Sequence, residues 1–277
     1  MTIGVIGTGN MGTLLIESFI RSKAIQPSEF VITNRTLSKA ESLSKKYEGI
    51  QVVPSAKSVF KEAKTIFICV KPLSIYPLLK EANDVIEHNH LVISITSPIR
   101  VEQLESSLPC PAARVIPSIV NQTLSGSTLL TFGERCTEEV KTSLTLLLQS
   151  ISNPIEIEEE ITRVSSDLSS CGPAFLSYLF ERMISAAVST TEITEEKATQ
   201  LLTDMVIGVG KLFEEKTYTL DTLKKKVMVK GGVTGVGIQI LEDELGEVFE
   251  HLFKATQMKF VDDHKEVDPQ YSIKPSS

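Results

Sequence analysis

The segment Gly4–Gly12 reads GVIGTGNMG and places Gly7, Gly9 and Gly12 in the spacing Gly-x-Gly-x-x-Gly. A short β-branched run, TIGVI, leads into these glycines, and a helical pattern of apolar residues follows them. In this setting the motif binds a dinucleotide, because the first glycine allows a tight turn, the second admits a pyrophosphate and the third brings helix and strand together. An ordinary glycine-rich turn is the alternative. The predicted nucleotide contacts in this turn are Gly7, Thr8, Gly9, Asn10, Met11 and Gly12.

Strand-like and helix-like segments alternate through the first half of the chain. Candidate helices such as Met11–Arg21 and Ser38–Tyr47 separate short apolar runs, which read TIGVI, FVIT, QVV, TIFICV and LVISI. Parallel strands need a crossover long enough to hold a helix, so this order predicts a mostly parallel, doubly wound sheet with helices on both faces. The later runs ARVI and STLLTF can extend the sheet.

The pattern changes near Ile161 and is helical from Gly172 onward, where the Gly-Pro pair reads as the start of a helix. Thr194 before two glutamates is a predicted N-cap. We therefore expect a nucleotide-binding α/β domain at residues 1–161 and an all-helical domain at residues 162–277.

The helical half carries more apolar surface than a small domain covers by itself, which predicts a homodimer, or a larger oligomer of dimers, built from this domain. The surface is expected to include Leu212, Phe213, Phe249, Leu252, Phe253 and Phe260. Residues 265–277 show no apolar period and are expected to fray.

Composition excludes several classes of function. The 277 residues carry 28 Lys and Arg against 35 Asp and Glu, a net charge of −7, which argues against a nucleic-acid ligand. We see neither a signal peptide nor a run long enough to cross a membrane, and we expect a cytoplasmic protein. The four cysteines are far apart and the four histidines have no metal-ligand spacing, so we expect no metal and no disulfide.

The residues after the second predicted strand indicate which nucleotide is bound. NAD-binding proteins usually place an acidic residue there, about 20 residues after the glycines, for the ribose hydroxyls. This chain has Asn34, Arg35 and Thr36 instead. Because a guanidinium can bind a 2′-phosphate through two hydrogen bonds, the sequence favours NADPH. The alternative is that Arg35 is only a solvated surface residue.

Another predicted cofactor contact ends the run TIFICV, where Val70, Lys71 and Pro72 follow one another. Ligands of open α/β sheets lie outside the carboxyl ends of the strands, and the proline biases Lys71 away from helix.

Four blocks together resemble the pyrroline-5-carboxylate reductases, which reduce a cyclic imine to proline with NAD(P)H, and within that family a branch linked to late competence in spore-forming bacilli. The blocks are GVIGTGNMG, CVKP, SSCGPAF and KGGVTGVGIQILE, and they follow the order and approximate spacing of the family over nearly the whole chain. The resemblance implies an N-terminal Rossmann domain, a C-terminal helical domain that interleaves with a second subunit, and a substrate site between them.

The resemblance also implies roles for residues near the substrate. The loop Val229–Thr234 looks like a carboxylate clamp, in which backbone amides at Gly231, Gly232 and Val233 bind the anion and the Thr234 hydroxyl reaches the ring nitrogen as the catalytic contact. The family has serine where this chain has Val229, so a hydroxyl donor is missing. Lys230 can compensate by charge or can be solvated.

Two further departures fall in the family's substrate loops. Ser118 stands where the family has asparagine, and the block Leu168–Ala174 reads LSSCGPA where the family reads LSGSGPA. Cys171, counted as a substrate contact, can therefore be a nucleophile, a packing residue or a replacement for serine. A nucleophile needs a base, and no histidine lies nearby in sequence, so replacement is favoured.

Three functions follow from these observations. The first is NADPH-dependent reduction of a cyclic imine, most simply 1-pyrroline-5-carboxylate to L-proline. The second is a regulatory or nucleotide-sensing protein that keeps the fold with weak or no proline-forming activity. The third is a structural dimer without a cofactor, which the intact glycine motif disfavours.

Overall fold

The computed structural model describes residues 2–271 and divides into two compact units. The first unit comprises the described residues up to Pro173 and those from Ala255 onward, and the second is Ala174–Lys254. The functional division expected after residue 161 stays a prediction, since these units separate twelve residues later and the last helix returns to the first unit.

One sheet of eight strands forms the centre of the first unit, in the order β3-β2-β1-β4-β5-β6-β7-β8. Neighbouring strands are parallel except for β6 and β7, which are antiparallel. The prediction of a mostly parallel doubly wound sheet is confirmed, with the strand order reversing between β1 and β4. The strands are β1 Ile3–Ile6, β2 Phe30–Thr33, β3 Gln51–Val52, β4 Thr65–Ile68, β5 Leu91–Ser94, β6 Ala112–Ile116, β7 Ser127–Phe132 and β8 Asn153–Glu156.

Six helices surround this sheet, and further helices follow it in the chain. The first group is α1 Asn10–Arg21, α2 Leu37–Lys46, α3 Ala56–Glu62, α4 Ile75–Ala82, α5 Val101–Ser106 and α6 Glu138–Gln149. The later group is α7 Thr162–Ser166, α8 Gly172–Thr190, α9 Glu195–Glu214, α10 Leu220–Val227, α11 Val233–Leu245 and α12 Val248–Tyr271.

The core has two large apolar clusters, and each contains side chains from several strands of the sheet together with side chains from different helices. One cluster contains Phe60 of α3 and Leu79 of α4, and the other contains Phe19 of α1 and Leu148 of α6. Strands buried on both faces explain why the runs of β1, β2 and β4 are continuously apolar rather than alternating.

A buried arginine joins the end of the sheet to the helix that follows it. The Arg114 side chain on β6 is fully buried and forms an ion pair with Glu159 at 2.7 Å. Its guanidinium also donates to the Ser97 carbonyl at 3.1 Å, the Thr131 hydroxyl at 3.1 Å and the Thr162 hydroxyl at 2.6 Å. These bonds fix the place where α7 begins.

The α-helix predicted from Gly172 onward is confirmed as α8, but Gly172 is not a free helix start, because helical turns precede it from Thr162. Residues Thr162–Ser166 are α-helical, Asp167–Cys171 form a π-helical turn, and the α-helix resumes at Gly172. Pro173 lies inside this helix although proline lacks the amide donor that an α-helix needs. Cys171 therefore lies within a helix and not at a free helix N-terminus.

The segment 265–277, expected to fray, is helical as far as Tyr271, so the prediction is wrong for residues 265–271. Val267 is 1% exposed and Tyr271 is 5% exposed, because both side chains pack into the apolar cluster that contains Phe60. Residues 272–277 lie outside the described part of the chain.

The second unit consists of helices, and its apolar side chains are mostly exposed. The N-cap prediction is confirmed, because the Thr194 hydroxyl accepts the Lys197 amide at 3.3 Å. Ala198 is the one fully buried apolar residue among residues 174–254. Phe260, expected on the dimer surface, is 7% exposed and lies in the first unit beside His264.

Within residues 2–271, no helix is long and apolar enough to cross a membrane.

Candidate functional site: a nucleotide turn and an altered substrate end

The glycine turn has the geometry that its sequence predicts. Gly7 has φ of +101°, and a Cβ there would lie 2.5 Å from the Cys69 carbonyl oxygen. A Cβ at Gly12 would overlap the Gly7 carbonyl oxygen. A Cβ at Gly9 would meet nothing within 4 Å, so the absence of a side chain at Gly9 keeps space open outside the protein backbone. This open position is where a pyrophosphate must approach.

The start of α1 offers unused hydrogen-bond donors beside that space. Gly9 is the N-cap and has no side chain to accept the first amides, and no acidic residue lies in the first turn. The Thr8 hydroxyl is buried and has no hydrogen-bond partner among residues 2–271. An orphaned buried hydroxyl beside an uncapped helix start fits a bound phosphate group, so the residues present suit the predicted dinucleotide.

The residues after β2 take different roles in the structure. The Asn34 side chain accepts the Thr8 amide at 3.0 Å and donates to the Thr36 carbonyl at 2.9 Å, so it braces the glycine turn. Arg35 is exposed and makes no hydrogen bond or ion pair with another residue of the described chain. Lys39, in the first turns of α2, is also exposed. Sequence analysis did not include it among the candidate nucleotide contacts, although its place one helical turn after Thr36 could have indicated it.

The loop after β4 has the shape that its proline imposes. Lys71 is extended, with φ of −62° and ψ of 148°, and Pro72 begins a short 3₁₀ turn that ends at Ser74. Before them, the Cys69 amide donates to the Ile6 carbonyl at 2.7 Å, which holds this loop beside the glycine turn. Burial raises the pKa of the Cys69 thiol, so that sulfur stays a neutral packing group. Val70 packs against the core, so a cofactor contact from this residue would be through its backbone.

The substrate end of the first unit is built around the π-turn. The Ser118 hydroxyl donates to the Ser169 carbonyl at 2.7 Å, and the Ser170 hydroxyl donates to the Pro117 carbonyl at 3.0 Å. Two of the residues that depart from the family pattern thus join the end of β6 to the helix that carries Cys171. Sequence comparison marked Ser118 and Ser170 as unusual but could not show that they contact the same turn.

Cys171 has a guanidinium neighbour. The Arg163 side chain donates to the Cys171 sulfur at 3.3 Å and forms an ion pair with Asp167 at 2.9 Å. Within residues 2–271, the sulfur receives no hydrogen bond from an imidazole. The geometry supplies no base for a nucleophilic thiol, which agrees with replacement of serine.

The predicted carboxylate clamp lies in the second unit, at the start of α11. Gly231 has φ of +78°, and Gly232 is the N-cap of α11 without a side-chain cap. The Gly232 amide donates to the Val229 carbonyl at 3.0 Å, so this predicted clamp donor is already engaged within the turn. Val233 is 87% exposed, and Thr234 is half-buried in the first turn. The clamp remains a prediction.

Among residues 2–271, no group of three or more His, Cys, Asp or Glu could hold a metal ion.

The fold and the nucleotide turn define the class of the protein. Residues 2–98 match the family model described as NADP oxidoreductase coenzyme F420-dependent, and residues 158–262 match the model described as pyrroline-5-carboxylate reductase dimerisation. The first domain is therefore an NADP-binding domain, which confirms the predicted cofactor, and the chain has the fold of an NAD(P)-dependent oxidoreductase.

Individual relatives identify the family to which the chain belongs. ComE operon protein 4 of Bacillus subtilis is 51% identical over 99% of this chain and 100% of its own length, and pyrroline-5-carboxylate reductase 3 of the same organism is 28% identical over 93% and 95%. A solved pyrroline-5-carboxylate reductase from Coxiella burnetii superposes with a TM-score of 0.83 at 24% identity, covering 96% of this chain and 98% of that one. The chain belongs to the pyrroline-5-carboxylate reductase family.

Proposed function

We propose that the protein is an NADPH-dependent reductase of a cyclic imine, with 1-pyrroline-5-carboxylate or a close analogue as substrate and L-proline or the matching cyclic amine as product. The observation that carries the proposal is the open glycine turn, where the Thr8 hydroxyl has no protein partner and Gly9 leaves room for a phosphate. Family membership supports the reaction class.

The chain's own residues would bind and orient rather than exchange protons. NADPH, when bound, supplies the hydride that reduces the C=N carbon. The uncapped start of α1 binds its pyrophosphate, and the Arg35 guanidinium is free to pair with its 2′-phosphate. The uncapped start of α11 binds the substrate carboxylate, and the Thr234 hydroxyl hydrogen-bonds the ring nitrogen. A protonated imine is already electrophilic, so positioning and exclusion of water supply the catalysis.

Three residues that differ from the family pattern, or whose donors are already engaged, are expected to weaken substrate binding. Val229 supplies no hydroxyl, the Gly232 amide is engaged by the Val229 carbonyl, and Cys171 is a weaker donor than serine. We therefore expect weak reduction of 1-pyrroline-5-carboxylate or preference for a neighbouring imine. The same observations favour one second candidate, a regulatory protein that binds the nucleotide with little turnover.

The test is a turnover assay of the purified protein with NADPH and a panel of cyclic imines that differ in ring size and in the presence of a carboxylate. Reduction of a carboxylated imine, lost in Thr234→Val and kept in Thr234→Ser, supports the proposal. The double variant Cys171→Ser with Val229→Ser should raise kcat/KM about tenfold if one charge-assisted hydrogen bond is regained. Tight NADPH binding without turnover of any imine would instead favour the regulatory candidate.

We also propose that the active form is a dimer made by the second unit. The match to a dimerisation domain and the many exposed apolar side chains of residues 174–254 support this assembly.

A further inference from the structure

A π-turn interrupts the helix between Thr162 and Thr190 at residues Asp167–Cys171. Such turns are rare, and they occur often at functional sites. This one carries Cys171, which aligns with the serine of the family's substrate loop. The cause of the turn and the contacts that hold it therefore bear on substrate binding.

The Ser118 hydroxyl replaces an α-helical bond that Pro173 removes. In an α-helix the Ser169 carbonyl would accept the amide of residue 173, but Pro173 has no amide hydrogen. Ser118, which is 1% exposed, donates to that carbonyl at 2.7 Å. Its position is fixed in turn, because its amide donates to the Asn121 side chain at 2.7 Å and Asn121 is fully buried.

The residue at the start of the turn is held independently. Asp167 is 1% exposed, pairs with Arg163 at 2.9 Å, and accepts the Thr256 hydroxyl at 2.6 Å. Arg163 also reaches the Cys171 sulfur at 3.3 Å. Beyond Asp167, the Ser170 hydroxyl holds the turn through the Pro117 carbonyl at 3.0 Å, and Ser118 holds it through the Ser169 carbonyl.

We propose that Ser118 is a positioning residue: by binding the Ser169 carbonyl, for which Pro173 offers no α-helical amide, it holds the π-turn in one position, and the π-turn sets the place of Cys171 at the substrate end. The contacts of Ser118 with Ser169 and Asn121 support its role in holding the turn. Its consequence for imine binding rests on the proposed function.

The experiment compares the full-length variant Ser118→Ala with the wild type and with Ser189→Ala. Ser189→Ala removes a similar hydroxyl-to-carbonyl bond, from Ser189 to Ala186 at 2.9 Å, on an exposed part of the same helix. The first readout is the rate at which iodoacetamide alkylates Cys171, followed by mass spectrometry. Ser118→Ala should raise this rate about tenfold, the factor that matches loss of one hydrogen bond of about 1.4 kcal/mol, and Ser189→Ala should not change it.

A second comparison separates positioning from simple stabilisation. Adding Pro173→Ala to Ser118→Ala gives residue 173 an amide that can donate to the Ser169 carbonyl in α-helical register, which restores stability and closes the π-turn. The melting temperature should recover in this double variant. The KM for the imine, raised about tenfold in Ser118→Ala with the Kd for NADPH unchanged, should not recover.

The outcomes distinguish the two proposals. An unchanged alkylation rate in Ser118→Ala, or joint recovery of melting temperature and KM in the double variant, would overturn the positioning role. If the wild type reduces no imine, the proposed function fails, while the alkylation rates still decide whether Ser118 holds the turn.

Discussion

At the scale of single residues, polar side chains of the first unit connect separate backbone segments through hydrogen bonds. Asn34 links the glycine turn to the end of β2, and Arg114 links the sheet to α7. Asn34 uses both its amide oxygen and its amide nitrogen in these bonds, and Arg114 uses both of its terminal guanidinium nitrogens. The residues that remain free at this end, such as Arg35, are the ones available to a ligand.

Arg35→Ala should weaken NADPH binding by about tenfold or more and leave NADH binding nearly unchanged, because only NADPH carries the 2′-phosphate that a guanidinium binds. Dissociation constants from nucleotide fluorescence would measure both effects. Lys45→Ala serves as the control, because it removes an exposed cation on α2 that lies away from the end of β2 in sequence. Equal weakening of both nucleotides would show that Arg35 does not read the phosphate.

His90 is a buried histidine whose protonation opposes folding. Its Nδ1 accepts the Glu87 amide at 2.8 Å, so Nε2 carries the hydrogen and donates to the Phe60 carbonyl at 3.0 Å. Burial, the largest cause, and the charge of Lys64 lower the pKa of His90 below its ordinary 6.5. The unfolded chain therefore binds a proton more readily than the folded protein does, and stability falls as the pH drops below about 6.5.

Urea titrations at successive pH values should show this loss in the wild type and a smaller loss in His90→Gln. His88→Gln is the matched control, since His88 is exposed and its ring bonds the Pro109 carbonyl at 2.7 Å. Parallel pH profiles for the wild type and His90→Gln would contradict the assignment.

At the scale of elements, the last turns of α12 are a structural part of the first unit. The Asp268 carboxylate accepts from Arg100 at 3.0 Å and from Gln103 at 2.7 Å, and both partners are largely buried. The Tyr271 ring lies edge-on to Tyr76 at 5.0 Å. These contacts connect the end of the chain to α4 and α5.

Asp268→Ala should free the end of α12, because it leaves the buried Arg100 and Gln103 donors without their acceptor, a loss of about 2 kcal/mol. Hydrogen exchange of the amides in the last turns should then quicken relative to those of β1. Asp262→Ala removes an exposed pair with Lys265 on the same helix and should leave the exchange unchanged. Equal exchange in both variants would show that Asp268 does not anchor the helix.

Much of this architecture follows from local sequence, and the exceptions have physical causes. The glycine turn and strands β1 to β7 are predictable because glycine spacing and β-branched runs act locally, whereas β8, with the sequence NPIE, has no such run and was not predicted. The π-turn is not, since Gly172-Pro173 reads as a helix start unless a distant serine supplies the missing donor. The last turns of α12 were missed because Val267 and Tyr271 are only two apolar residues in a polar segment that contains Pro269.

At the scale of the whole molecule, the second unit leaves most of its large apolar side chains exposed. Val233 is 87% exposed, Val236 is 69% exposed and Ile240 is 58% exposed, all on α11. Apolar surface of this extent supports the proposed dimer.

Ile240→Glu should therefore shift the protein from dimer to monomer in sedimentation at micromolar concentration, because it places a charge in an apolar contact. Lys45→Glu, on α2 of the first unit, should leave the dimer intact. A wild-type protein that sediments as a monomer under these conditions would remove the proposed assembly.

The return of α12 to the first unit has a consequence for synthesis. Val267 and Tyr271 belong to the same apolar cluster as Phe60, yet more than 200 residues separate them along the chain. Domains generally fold as units while the chain emerges, the N-terminal part first. Here Val267 and Tyr271 can join the core of the nucleotide domain only after translation has passed the whole second unit, so the domain lacks these two side chains for most of the time that the chain is being made.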